Sequence, residues 1–199
     1  GKTGRRIVEQ LTARKVPVRI GSRSATPSFD WENRSTWPAA LANVDAVYIS
    51  YYPDLAAPGA TDAIRAFTEL AVRSGVRRLV LLSGRGEPEA QRCEEIVMSC
   101  GVQWTVLRCS WFNQNFSENY LLEPILAGEV ALPVSNVVEP FVDADDIADA
   151  AVAALTDDKH VGQLYELTGP KLLTFAEAIG EIARASGRQI RYVRISMDD

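Results

Sequence analysis

A chain of 199 residues, 47% hydrophobic and 24% charged, can bury a sizeable core, which excludes a disordered segment and a minimal disulfide-held scaffold. Lys and Arg number 21 against 26 Asp and Glu; the net charge of -5 argues against direct nucleic-acid binding through a broad basic surface. Cys93, Cys100 and Cys109 show neither Cys-x-x-Cys nor Cys/His ligand spacing, and no apolar run approaches the roughly 20 residues of a membrane span, so no metal site, disulfide framework or membrane anchor is expected, and a reduced cytoplasmic setting fits best.

The chain opens on Gly1-Lys2-Thr3-Gly4, which runs directly into a helical pattern with Ile7, Val8 and Leu11 on one face. A glycine turn feeding a helix N-terminus is a phosphate cradle, because free N–H groups and the positive end of the helix dipole meet there. Gly1 and Gly4 fit the second and third glycines of such a turn, so a first glycine and a buried first strand are expected ahead of Gly1. Pro17 to Ile20 reads as a short buried strand ending at Ser22-Arg23-Ser24. About 20 residues past the turn, a carboxylate would bind a ribose 2′-hydroxyl, whereas an Arg suits a 2′-phosphate. Arg23 between two hydroxyls therefore points to NADP(H), ahead of the plainer reading of a routine Arg at a solvent-exposed strand end.

A short helix at Pro38 to Ala42, a strand at Ala46 to Ile49, a helix over 58–74 and a strand at Leu79 to Leu82 follow, with Gly75 placed to end the second of these helices. Glu87 to Ser99 reads as a helix and Trp104 to Leu107 as a strand. This alternation predicts an α/β Rossmann-type, doubly wound parallel sheet, with ligands along the carboxyl ends of its strands. The expected boundary is a dinucleotide-binding domain over 1–110 and a small, partly helical substrate region over 111–199 that interleaves with the sheet. Later elements are helices at 118–126, 144–155 and 175–185, a Pro- and Val-rich loop, and strands at Leu164 to Leu167 and Ile190 to Ile195, the last near an end that reads as clipped.

The strand ends supply the candidate cofactor contacts: Gly1, Thr3, Gly4, Ser22, Arg23, Ser24, Ser50, Tyr51, Tyr52, Ser83 and Gly84. Ser83 is also the candidate hydrogen-bond donor to a nicotinamide amide or a substrate carbonyl, against the plainer role of a turn-former before glycine. Trp111, Phe112, Asn113, Asn115 and Phe116 place amides among aromatics, which suits a pocket for a flat substrate. The same run serves equally as a core-facing plug. Asp143-Ala144-Asp145-Asp146 reads as a helix cap with carboxylates in the first turn, and Thr174 to Glu177 as a capping box. His160, in a polar loop, makes a poor general base.

These motifs, with Gly75 to Ser83, Thr105 to Arg108 and Phe141 to Ala148, resemble the NmrA-like branch of the atypical short-chain dehydrogenases/reductases over nearly the whole chain. Ser22 to Ser24, Phe29 to Trp31 and Trp111 to Glu118 are similar to the ergot-alkaloid agroclavine and festuclavine dehydrogenases and their bacterial relatives. The resemblance implies an NADP-binding Rossmann domain and activities from quinone or imine reduction to non-catalytic redox sensing. Classical relatives carry a Tyr and a Lys four residues apart on the helix after the Ser83 strand, where Lys lowers the Tyr pKa for proton delivery; Gln91 and Glu95 stand in the corresponding places. Two expectations result. One is an NADPH-dependent oxidoreductase that acts on a flat, conjugated quinone or imine without that dyad. The other is an NADP(H) sensor that signals to a protein partner.

Overall fold

The computed structural model describes residues 1–134 and 136–196. In chain order its elements are α1 (Lys2–Ala13), α2 (Trp37–Leu41), β1 (Ala46–Ile49), α3 (Ala60–Arg73), β2 (Arg78–Gly84), α4 (Pro88–Met98), β3 (Gln103–Cys109), α5 (Leu122–Ala127), β4 (Glu129–Leu132), β5 (Val138–Glu139), α6 (Ala144–Thr156), β6 (Gln163–Leu167), β7 (Leu173–Thr174), α7 (Phe175–Ser186) and β8 (Arg191–Arg194). The chain divides into two compact units. One comprises residues 1, 3–109 and 145–167, the other residues 2, 110–144 and 168–199.

The first unit is an α/β layer structure around a four-stranded sheet in the order β1-β2-β3-β6, parallel throughout. Parallel strands with helical crossovers are covered on both faces, hence the unbroken apolar runs of β2 and β3. Leu79, Val80, Leu81, Val106 and Leu107 are all fully buried. In α3, Ile64, Phe67 and Ala71 repeat at helical spacing and pack into the same core as Trp37, Leu41 and the small residues Ala90, Cys93 and Val97 of α4. Gly75 takes a left-handed φ of 90° just past α3, which lets the chain reverse into β2. At the opposite end of the sheet the buried Arg78 donates to Gln103 Oε1 and to the Leu155 carbonyl at 3.1 Å, and pairs with Asp158. Its charge answers the open carbonyls at the end of α6.

Three expectations need correction. Residues 17–20 form no strand: Val18 and Ile20 are exposed, and no strand among the described residues pairs with them. The helix expected over 118–126 starts later, at Leu122, and stops at Gly128, whose φ is 87°. The Pro- and Val-rich loop holds two short strands: β4 pairs in parallel with β8, and β5 antiparallel with β7. Their partners lie far along the chain, so no local hairpin signal marks them.

The second unit has its own core, in which Phe116, Phe141 and Phe175 surround Ile125, Val130 and Ile179. The capping box at Thr174 and Glu177 is present at the start of α7, and α6 begins directly after Asp143, with Asp145 and Asp146 in its first turn. No helix among the described residues is long and apolar enough to cross a membrane, and no cluster of three or more His, Cys, Asp or Glu among them could hold a metal ion.

Candidate functional site

The N-terminus of α1 is open chemically. Gly1 precedes it with no capping side chain, the first turn carries no acidic residue, and a Cβ built on Gly4 would meet no atom within 4 Å beyond its chain neighbours and the helix's own backbone. The first intrahelical bond runs from the Arg5 N–H to the Gly1 carbonyl, so the amides ahead of it have no intrahelical acceptor. Thr3 turns inward: its hydroxyl accepts from Tyr48 of β1 at 2.9 Å, and only its backbone faces the turn.

The Ser22-Arg23-Ser24 segment is a tight loop pinned by the Phe29 N–H on the Ser22 carbonyl at 2.8 Å. The two serine hydroxyls stand 3.3 Å apart. Arg23 is exposed and forms no ion pair or hydrogen bond among the described residues. Beyond β1, the Ser50 carbonyl accepts from the Trp31 indole at 3.3 Å, and Tyr51 meets the Trp31 ring edge at 5.0 Å. Burial pushes the Tyr51 phenol up. Tyr52 is largely exposed.

At the carboxyl end of β2 the structure shows a polar row that the sequence reading missed. Ser83, Arg108 and Glu166 are register neighbours on β2, β3 and β6, each the second-last residue of its strand. Over them, α4 presents Glu94, which is 1% exposed. Ser83 donates to Glu94 Oε1 at 2.6 Å, and the Arg108 guanidinium forks onto both Glu94 oxygens at 3.0 and 2.5 Å and reaches Glu166 at 3.2 Å. The Glu94 hydrogen bonds push the Arg108 guanidinium pKa up. Ser83, expected as a donor to a ligand, thus spends its hydrogen inward; its free capacity is as an acceptor. One signal could have exposed the row. Ala90, Cys93, Glu94 and Val97 form the buried stripe of α4, and a carboxylate at such a position requires a buried cation opposite it.

Gly84 lies directly beneath the Glu87 side chain, and a Cβ there would sit 2.6 Å from the Glu87 carboxyl carbon. Gln91 and Glu95, in the places of the Tyr and Lys, are both exposed on α4.

In the second unit the aromatic-amide run divides by burial. Phe116 is 6% exposed and packs against Phe141 at 5.4 Å, whereas Trp111, Phe112 and Asn115 are half-buried and Asn113 is exposed. Trp111 meets Phe175 edge-on at 4.9 Å. Backbone satisfaction falls to Gln114: its amide oxygen accepts from the Ala144 N–H at 2.8 Å and its nitrogen donates to Asp143 at 3.0 Å.

A parallel α/β sheet with a glycine-opened first helix defines a Rossmann-type dinucleotide-binding protein. The family model described as NAD(P)H-binding matches residues 1–158. The chain belongs to that family, within the NmrA-like atypical short-chain dehydrogenases/reductases. It is 32% identical to an agroclavine dehydrogenase of Claviceps fusiformis over 98% of this chain and 74% of that one. It is 29% identical to an NAD(P)H azoreductase of Xenophilus azovorans, over 100% and 75% respectively. Its fold superposes with a TM-score of 0.78 and 22% identity on an NADPH-dependent quinone oxidoreductase of Escherichia coli complexed with NADPH, covering 100% of this chain and 77% of that one.

Proposed function

We propose that the protein is an NADPH-dependent oxidoreductase that reduces a flat, conjugated small molecule of the quinone or imine type without a Tyr/Lys dyad. The observation that carries this is the first turn of α1, which holds no acidic residue and leaves the Thr3 and Gly4 amides without an intrahelical acceptor, an arrangement that suits a diphosphate. The unpaired Arg23 with Ser22 and Ser24 suits an adenosine 2′-phosphate, and Ser50, Tyr51, Tyr52 and Gly84 would follow the nucleotide along the strand ends. Similar proteins named for azo reduction, quinone reduction and agroclavine dehydrogenation support the redox assignment.

When bound, the dihydronicotinamide would supply two electrons and a proton together as hydride. The chain's own part is to position and to select. Ser83, its proton held by Glu94, would accept from an amide N–H such as the carboxamide's. Trp111 and Phe112 offer half-buried ring faces to a planar substrate, Asn113 and Asn115 offer orienting amides, and Phe116 backs Trp111 from the core. An acceptor that is already electrophilic needs little acid assistance, so positioning carries most of the rate.

The test is NADPH oxidation against a panel of quinones, azo dyes and cyclic imines. Turnover of at least one class is expected. Silence across the panel with tight NADPH binding would favour the sensor, which predicts NADP(H)-dependent association with a protein partner instead.

A further inference from the structure

We propose that Glu87 is the proton donor of this site, and that the natural acceptor is therefore one whose reduction leaves a negative heteroatom, a quinone or an azo group, rather than an iminium. The inference rests on the oxidoreductase reading above and narrows its substrate class.

Glu87 is the residue before α4, the position from which a side chain can cap the helix. Here it makes no cap. Its carboxyl folds back over Gly84, the last residue of β2, and occupies the space a Cβ would fill. The carboxyl end of that strand is where a parallel sheet holds its ligand. Glycine at this position leaves that space to the carboxyl, which a Cβ would force to swing aside.

Its surroundings favour holding a proton. Glu87 is half-buried, and its carboxyl makes no hydrogen bond or ion pair among the described residues. Burial first, then the negative charges of Asp54 on the loop after β1 and Glu89 in the first turn of α4, pushes its pKa up. Asp54 is fixed by accepting from the Ala56 N–H at 2.8 Å. The neighbouring cation, Arg85, is turned to Glu166 at 3.5 Å. A carboxyl whose proton is favoured by such an environment is suited to the role of general acid.

The balance of the step selects the acceptor. Hydride addition to an iminium forms one C–H bond and yields a neutral amine, so no proton is called for. A quinone that has gained hydride is left as an anion on oxygen, and an azo group as an anion on nitrogen. The Glu87 O–H bond then breaks, the proton forms the new O–H or N–H bond, and the carboxylate regains a proton from water. The products are a hydroquinone or a hydrazo compound and oxidised coenzyme.

The experiment compares wild type with Glu87→Gln on a naphthoquinone and on a cyclic iminium ion, with NADPH affinity followed by fluorescence. The ratio of quinone rate to iminium rate should fall about 100-fold, a typical contribution of a positioned general acid, while the NADPH dissociation constant stays within about 3-fold. A ratio unchanged by the substitution overturns the proposal and leaves the oxidoreductase reading intact; a wild type that reduces neither acceptor overturns both. An independent readout needs no turnover. The fold loses stability as pH rises through the raised Glu87 pKa, so Glu87→Gln should melt higher than wild type near neutral pH, with the gap closing in acid below the ordinary carboxyl range. In the free protein, carbon-13 NMR should show the Glu87 carboxyl titrating above the other glutamates, and lower again in Asp54→Asn. Ordinary titration of Glu87 would overturn the proposal.

Discussion

Glu94→Ala is expected to cost roughly 3 kcal/mol of unfolding free energy, the lower end of the range for breaking a buried ion pair, because Arg108 keeps some contact with water. The substitution deletes both acceptors of the Arg108 fork and the acceptor of the Ser83 hydroxyl at once, beneath a helix face that otherwise carries Ala90, Cys93 and Val97. A guanidinium that keeps only Glu166, and a buried hydroxyl without its acceptor, are then left, and the loss exceeds the small net gain of forming the pair in the first place. Glu94→Gln keeps an acceptor for Ser83 and should cost less. Chemical denaturation of the two variants, with an Arg108→Ala cycle, measures this directly. Coupling near zero between Glu94 and Arg108 would mean that the row at the strand ends is not held as described.

Phe116→Ala should be costlier still, about 3–5 kcal/mol, the usual penalty for emptying a buried aromatic site. Its ring touches Trp111, Phe141 and Phe175, with centroids 6.2, 5.4 and 6.4 Å away, and few neighbours can collapse into the gap. Asn113→Ala, three residues earlier and exposed, should change stability by under about 0.5 kcal/mol. Separation of the two effects would identify Phe116 as a wall of the core and leave the half-buried Trp111, Phe112 and Asn115 as the ligand-facing part. Equal and small effects would contradict the packing of this unit.

Elements with a local periodic cause were legible in the sequence. The buried stripe of α3 and its glycine stop, the unbroken apolar runs of β2 and β3, and the Thr174 capping box each follow from a few adjacent residues. Elements that exist only through distant partners were not. β4 depends on β8, and the four apolar-rich residues at 17–20, read as a strand, find no ladder. The same division runs through the site. Glycines and Arg23 stand out by type and spacing, whereas Glu87 matters for folding over Gly84 and Glu94 for facing Arg108, and neither contact can be read along the chain. In the aromatic-amide run, open to two readings as a sequence, burial divides the residues: Gln114 and Phe116 are buried and Asn113 is exposed.

The central claim is an NADPH site with Arg23 on the 2′-phosphate, and the most direct measurement is equilibrium titration of wild type and Arg23→Ala with NADPH and with NADH. Tighter binding of NADPH by wild type is expected, with Arg23→Ala losing most of that preference, on the order of 1 to 3 kcal/mol for a charge-assisted contact, while NADH affinity barely moves. Equal affinity of the wild type for the two nucleotides, or a preference that survives the loss of Arg23, would contradict the account.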